Sequence, residues 1–457
     1  MARDTTDDTP LSSIDMLAAH LAEGNKPKQA FRLGTEHEKF GFHTHDLSPV
    51  PYEGETGIGA ILKAMQAKLG WEPIMDGENI IGLAGGSGQG AISIEPGGQF
   101  ELSGAALATL HETAAETSAH MQALKEICEP LGISFLMVGG SPLWTLAETP
   151  RMPKSRYDIM TRYMPKVGRK GLDMMYRSAT IQVNLDFSSE ADMARKMRVS
   201  MKLQSLATAL FAASPFTDGK PNGFQSWRGD IWSDTDNRRA GLLPFTFRPD
   251  FCFGDYVEWA LDVPMYFVVR DGRYHDCTHV TFRQFMDGAL KGELAAWQPT
   301  MGDWTNHLST LFPDVRLKRF LEMRGADNGP ESHIPALSAF WVGLLYDDAA
   351  LASADELTAA WDFEAVSALR ASVPTAGLTA RIDGRALNDI ARDVVEISRA
   401  GLKARRQLNG NGEDETIYLA PLDTILENGR TLAQDMLAAY HGDWNGSVRP
   451  AFDVYHY

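Results

Sequence analysis

Four short segments of this sequence carry a polar functional group at every second residue, with apolar residues between, and this alternation constrains the fold more than any other feature. Successive side chains of a β-strand point to opposite faces. Each segment therefore reads as a strand with one face in a core and the other toward a polar cavity. In Gly34-Thr35-Glu36-His37-Glu38-Lys39-Phe40, Glu36 and Glu38 share a face. Two carboxylates that close repel unless a cation lies between them; two solvated acids on an edge strand are the alternative. His37 points the other way, as a packed histidine rather than a ligand. In Ile94-Glu95-Pro96-Gly97-Gly98-Gln99-Phe100-Glu101-Leu102, a Pro-Gly-Gly break separates Glu95 from Gln99 and Glu101. Such residues are unfavourable inside a regular strand, so the break either presents acids at two depths or is a hairpin turn. In Thr180–Phe187, Ile181, Val183, Leu185 and Phe187 alternate with Gln182, Asn184 and Asp186. Amides supply neutral donors and acceptors, which suits a site beside metal-bound phosphate; a solvated sheet face is the alternative. In Arg319–Asp327, Glu322 and Arg324 share a face. A salt bridge, and a metal-binding carboxylate beside a phosphate-binding guanidinium, both remain open there.

So many carboxylate oxygens suit Mg²⁺, a hard cation that prefers oxygen ligands and keeps phosphates in its shell. Zinc is disfavoured, because the sequence has no Cys and His clusters. Lys and Arg number 43 against 60 Asp and Glu, a formal charge of −17. Such a surface repels phosphate backbones and anionic lipid, which argues against nucleic-acid and membrane partners. Positive charge gathers in one stretch, at Arg151, Lys154, Arg156, Arg162, Lys166, Arg169, Lys170 and Arg177, broken by Pro153, Pro165 and Gly168. It reads as a phosphate-covering loop or as a surface patch that balances acids elsewhere. With 3 Cys and no disulfide framework, the chain is expected in a reducing, cytoplasmic setting. The acidic segment Met1–Pro10 has no apolar run and does not read as a signal or transit peptide.

A first helix is expected near Ser12, with Asp15 at capping-box spacing and Ile14, Leu17, Ala18 and Leu21 on one face, stopping at Gly24. Phe31–Phe42 reads as a strand. The Ala84–Gly90 stretch is glycine-rich but lacks the Gly-Lys-Ser/Thr ending of a phosphate loop, so a turn between strands is expected. A long helix is expected over Ser189–Ala213, its methionines at core positions. From about residue 348 the pattern is mostly helical, with Leu387, Ile390, Val394 and Ile397 on one face and an exposed loop at Asn409–Glu415. These features imply one catalytic unit over residues 1–457, with a flexible tail at 1–11 and a helical portion at about 348–457.

The stretches Gly34–Phe42 (GTEHEKFGF), Ile94–Ala105 (IEPGGQFELSGA), Tyr163–Gly168, Gly171–Met175, Gln182–Ala191, Ser214–Gly223, Leu261–Phe267 and Val315–Asp327 (VRLKRFLEMRGAD) resemble the plant and proteobacterial glutamate–cysteine ligase family. The resemblance runs from about Ser12 to the C-terminus. It implies an α+β, glutamine-synthetase-like fold, in which a curved, mainly antiparallel sheet forms a funnel flanked by helices. It also implies ATP, L-glutamate and L-cysteine as substrates, Mg²⁺ as cofactor, and a monomer or weak homodimer. By that resemblance Glu36, Glu38, Glu95, Glu101 and Glu322 are metal ligands, with Glu36, Gln182 and Glu322 also toward the nucleotide. Arg324 and Asn184 would lie beside the phosphates, Lys166 in a cover over the site, and Arg228 and Tyr266 in the amino-acid pocket. A ligase for another amine, a magnesium-dependent phosphohydrolase and a non-catalytic binding protein are the alternatives. Plant members carry a regulatory disulfide at the position of Cys277, but its partner position here is Gly292, so no thiol switch is expected.

Overall fold

The computed structural model describes residues 5–457. Its central element is β1 (Leu33–His43), in a nine-stranded sheet. The others are β2 (Glu72–Asp76), β3 (Asn79–Ala84), β4 (Ala91–Ile94), β5 (Gln99–Ser103), β6 (Ile133–Leu136), β7 (Thr180–Leu185), β8 (Val315–Leu317) and β9 (Leu321–Asp327). The order is β8-β9-β7-β1-β5-β4-β3-β2, and β6 pairs with the far end of β1. Every pairing is antiparallel. The four alternating segments thus become β9, β7, β1 and the β4–β5 hairpin, side by side, as the α+β expectation required.

The period-2 pattern explains how this sheet is covered. Thr35, His37 and Lys39 point away from the acids and are buried, and Thr35 Oγ1 lies 2.7 Å from Ser338 Oγ on the His333–Leu345 helix. The Glu190–Leu210 helix packs on β9, and its Met193, Met197, Met201, Leu203, Leu206 and Leu210 are fully buried. The methionines are core residues, as expected. Ser189 caps this helix by accepting from Asp192 N at 3.2 Å. One apolar cluster links Leu17, Leu185, Leu344 and Leu426, so it draws on both ends of the chain. The C-terminal residues return to β6, where Tyr457 N donates to Phe135 O at 3.3 Å.

The first helix departs from expectation. It spans Asp15–Ala22 with Ile14 at the cap position and no side-chain cap; Ser12 lies too early in the chain and turns its hydroxyl to Met16 Sδ at 3.3 Å. Of the 1–11 tail, residues 1–4 lie outside the described residues. Thr5 and Asp7 bond to the Met301–Ser309 helix, with Thr5 N donating to Asn306 Oδ1 at 2.9 Å and Gly302 N to Asp7 O at 2.8 Å. Among the described residues no single helix is long and apolar enough to cross a membrane.

The Leu387–Arg405 and His333–Leu345 helices cross at a pair of glycines. A Cβ added at Gly401 would lie 1.9 Å from Gly343 O, and backbone cannot swing aside as a side chain can. Gly401→Ala must therefore push the two helices apart. Overpacking of this kind typically costs about 1–3 kcal/mol. A lowered denaturant midpoint is the expected result, and an unchanged midpoint would refute the close crossing.

Candidate active site

The register of the sheet assembles one polar face from residues far apart in sequence. Glu36 stands opposite Gln182, Glu38 opposite Glu101, Asn184 opposite Glu322 and Glu322 opposite Arg316. A bulge in β9 between Met323 and Ala326 inserts one extra residue relative to β7. Bulges re-aim side chains, and this one falls at Arg324 and Gly325. A Cβ on Gly325 would lie 2.1 Å from Gln204 Nε2, so glycine lets the bulged strand approach the helix behind it.

The Pro96-Gly97-Gly98 break is a hairpin turn. Gly98 N donates to Glu95 O and Glu95 N to Gln99 O, both at 2.9 Å, with Gly98 at φ +85°. A Cβ on Gly97 would lie 2.2 Å from Tyr176 O. The turn places Glu95 at its start, facing the same cavity as Glu101. Tyr157 OH is 3.3 Å from Glu95 Oε1 and 2.9 Å from Ile94 O.

Glu36, Glu38, Glu95, Glu101, Gln182, Arg156, Arg316 and Arg324 line a cavity of about 110 Å³. A second chamber of about 90 Å³ shares Glu38, Glu95, Gln182 and Arg324 and adds Arg228 and Trp232. The wall is divided by charge. At one end the four carboxylates have few cationic neighbours. Asn184 Nδ2 donates to Glu36 Oε1 at 2.9 Å, Thr180 N to Glu38 Oε2 at 3.1 Å, and Ser103 Oγ to Glu101 Oε1 at 2.9 Å. Burial, then the charges of Glu322 and Glu101, raise Glu36 above the usual carboxylate range. Burial, then Glu95 and Glu101, raise Glu38 well above it. Their ionised forms thus feel too little counter-charge, Lys318 at Glu36 and Arg228 and Arg324 at Glu38, to offset burial and the neighbouring acids.

At the other end cations are in excess. Glu322 is fully buried and already paired. Arg316 Nη2 reaches both its oxygens at 2.7 and 2.9 Å, Lys318 Nζ donates at 2.8 Å, and Arg324 Nη1 also bonds it. Burial alone would raise Glu322, but Arg316, Lys318 and Arg324 outweigh it and hold the carboxyl well below its usual range. Three cations on one carboxylate leave a surplus of positive charge. Burial and the neighbouring Arg316 lower Lys318 accordingly. Arg324 also donates to Gln182 Oε1 at 2.6 Å, and its guanidinium lies over the rings of Phe312 and Trp232 at 5.5 and 5.8 Å.

The structure therefore gathers Glu36, Glu38, Glu95, Glu101, Gln182 and Arg324 at one cavity, with Asn184 and Glu322 in the wall behind them. Arg228 is buried at the adjoining chamber, donates to Arg324 O at 2.9 Å, and is lowered to about 10 by burial. Two expected residues lie elsewhere. Lys166 ends a short turn (Met164–Lys166) and is exposed. Tyr266 is buried under the Arg239 guanidinium at 3.9 Å, where Arg239 is held by Asp236, and its hydroxyl faces Met164 Sδ. Arg162, Arg169, Lys170 and Arg177 of the basic stretch stand in ion pairs, such as Lys170 with Asp230 at 2.7 Å and Arg177 with Asp218 at 2.6 Å, and Arg156 is the member of that stretch that lines the cavity. Arg316, Lys318 and Tyr157 are site residues that the sequence reading does not single out, although Arg316 and Lys318 alternate in Val315–Asp327 as visibly as Glu322 and Arg324 do.

Among the described residues no group of three or more His, Cys, Asp or Glu side chains is arranged to hold a metal ion by itself. The donor set nonetheless fits a hard cation. It is all oxygen, and the raised Glu36 and Glu38 would be relieved by a positive charge between them. Cys128 and Cys277 are buried, and burial pushes both thiols up to about 12; Cys252 is half-buried, and all three are free.

Comparison with known proteins adds to this geometry. Residues 32–453 match the model of glutamate–cysteine ligase family 2. The chain is 51% identical over 444 residues to the chloroplastic glutamate–cysteine ligase of Nicotiana tabacum, covering 97% of this chain and 83% of the relative. It is also 51% identical over 447 residues to that of Arabidopsis thaliana, with the same coverage. The crystal structure of glutamate–cysteine ligase from Francisella tularensis in complex with AMP superposes with a TM-score of 0.54 at 12% identity, over 93% of this chain and 87% of that one, a likeness of fold. These plant relatives, with that of Brassica juncea, are chloroplastic by name, which overturns the cytoplasmic expectation. That expectation rested on cysteine scarcity, which reports redox state and not compartment. A family match over nearly the whole chain, at half identity to full-length relatives, is decisive: the chain belongs to glutamate–cysteine ligase family 2.

Proposed function

We propose that this chain is an ATP-dependent ligase that joins the γ-carboxylate of L-glutamate to the amine of L-cysteine, giving γ-glutamylcysteine, ADP and phosphate, the first step of glutathione synthesis. The observation that carries this reading, beside family membership, is the divided wall of the cavity. Four carboxylates face an excess of guanidinium and ammonium across a few residues of one sheet, which is the complement of a cation bound to a polyphosphate.

A carboxylate is a poor acyl donor, because its leaving group would be oxide. Phosphorylation by ATP supplies a better one, and the amine then displaces phosphate from γ-glutamyl phosphate. Glu36, Glu38, Glu95 and Glu101 would hold Mg²⁺, whose chemistry is to neutralise phosphate oxygens and align them. Arg324, fixed by Gln182 and by two aromatic rings, would meet the charge on the transferring phosphoryl group. Arg316 and Lys318 add to that positive end, and Glu322 keeps the three cations from repelling one another. In this reading Glu322 orders the three cations, and it would join the other carboxylates as a metal ligand only in addition to that role. Asn184 orients Glu36. Arg228, buried beside the second chamber, would bind the α-carboxylate of an amino acid. No protein nucleophile is required, so catalysis is positioning and electrostatics. We further propose a single catalytic unit over residues 1–457, a monomer or weak homodimer, with no thiol switch.

Phosphate release from ATP is expected to require Mg²⁺ and L-glutamate and to rise strongly when L-cysteine is added. Faster turnover with ammonia or a polyamine at equal concentration would move the assignment to another γ-glutamyl–amine ligase. Release at the full rate without any amine would make the chain a phosphohydrolase.

A further inference from the structure

A second cavity lies on the opposite side of β5 from the active site. Glu101 faces the acids, whereas the next residue, Leu102, lines a space of about 300 Å³. That volume is at the lower end of small-molecule pockets, about 300–1,000 Å³. Its body is apolar, with Met65, Leu69, Leu102, Leu107 and Trp71 on its walls. Two polar groups reach it from the Leu110–Cys128 helix.

One is Glu116. Its Oε1 accepts from Ala105 N at 2.8 Å, and among the described residues the carboxylate has no ion-pair partner. The other is His120, which is 7% exposed and whose Nε2 has no hydrogen-bond partner. Burial holds its imidazole well below the usual range, so the ring is neutral and accepts at one nitrogen. The rim is the turn that joins β3 to β4, where Gly88 and Gly90 line the opening. Gly88 sits at φ +82°, a backbone conformation that favours glycine. The glycine-rich stretch that lacks a phosphate-loop ending thus borders an apolar cavity.

We propose that this cavity is a binding site for a small amphipathic amine, its ammonium on Glu116 and its apolar body against Trp71, Met65 and Leu107. Charge complementarity selects this class. A half-buried carboxylate without a cation calls for a donor, the free Nε2 of His120 accepts one when the ring proton sits on Nδ1, and the remaining wall takes hydrocarbon. An anion would meet Glu116, and a neutral apolar molecule would leave both polar groups unanswered. Burial raises Glu116 above the usual carboxylate range, the direction expected of a carboxylate without its counter-ion.

The test uses 2-phenylethylammonium as probe and 2-phenylethanol as its neutral counterpart, with binding to the full chain followed by calorimetry and ligand-observed NMR. The ammonium probe is expected to bind about tenfold more tightly than the alcohol, and neither ATP nor L-glutamate should displace it. Glu116→Gln should remove that preference. It should leave ligase turnover near wild type, because an amide oxygen still accepts from Ala105 N–H. Ala119 of the Leu110–Cys128 helix also lines the cavity, and Ala119→Phe, which fills it, should abolish binding of both probes. Equal affinity of the two probes, displacement by L-glutamate, or unchanged binding in Ala119→Phe would each overturn the proposal. Binding is read without catalysis, so failure here is distinct from failure of the ligase reading.

Discussion

Glu322→Gln is expected to abolish turnover and to lower the melting temperature of the metal-free chain, whereas Glu38→Gln should abolish turnover and leave melting unchanged or raised. Both side chains are acids on one sheet face, yet their environments are opposite. Glu322, itself fully buried, answers Arg316, Lys318 and Arg324. Removing its charge leaves three cations with no carboxylate among them, and breaking a buried pair in this way typically costs about 3–5 kcal/mol. At Glu38, burial and the like charges of Glu95 and Glu101 outweigh the opposite charges of Arg228 and Arg324. Glutamine there removes repulsion and keeps an acceptor for Thr180 N–H.

The pH dependence separates the two in the same direction. Because Glu322 is depressed, its contribution to stability is present above the ordinary carboxylate value of 4.5 and is lost as pH falls through its lower folded value. Because Glu36 and Glu38 are raised, their ionised forms cost stability at neutral pH, and that cost is relieved as pH falls through their raised values toward 4.5. On mild acidification the metal-free wild type should therefore gain melting temperature relative to Glu38→Gln, because the buried histidines that are held neutral act alike on both chains. Circular-dichroism melts in the presence of a chelator read both effects. Parallel shifts in the two variants would falsify the division of the site into an acidic and a cationic end.

Much of this site was legible because strand geometry is strictly periodic. Alternation fixed which residues share a face in each segment, and β9, β7, β1 and the β4–β5 hairpin bear it out. The register between strands was not legible. Nothing local sets Glu322 opposite both Asn184 and Arg316, since those partners are 138 and 6 residues away and only the folded sheet aligns them. Charge compensation was hidden for the same reason. Lys170 and Arg177 look like a free basic loop until Asp230 and Asp218 arrive from another segment. Tyr266 illustrates a different failure. An apolar-flanked tyrosine gives no sign of whether its hydroxyl faces a cavity or its ring covers an arginine, and here Arg239 claims the ring. The early start expected for the first helix failed on cap position, where a shift of two residues, from Ser12 to Ile14, exchanges a hydroxyl cap for none.

Arg324→Lys is expected to lower kcat/KM by about 10²–10³, the loss typical of one preorganised electrostatic donor and worth about 2.7–4 kcal/mol, while the melting temperature changes little. The charge is kept, so a role as a bulk cation predicts a small effect. Geometry argues otherwise. The bulge in β9 aims this side chain, Gln182 Oε1 and Glu322 each hold its Nη1, and the Phe312 and Trp232 rings lie within 5.5 and 5.8 Å of the guanidinium carbon. A lysine ammonium is a point charge on a flexible stem; it cannot present several donors in fixed directions as a guanidinium does. Arg316 and Lys318 still neutralise Glu322, which is why the fold should tolerate the change. The loss should fall mainly on kcat, because a group that serves the transferring phosphoryl acts more strongly in the transition state than on bound ATP. Steady-state phosphate release with varied ATP separates the two parameters. Turnover within a few-fold of wild type would show that Arg324 acts only as part of the cationic end, and a rise confined to KM for ATP would make it a ground-state binding residue.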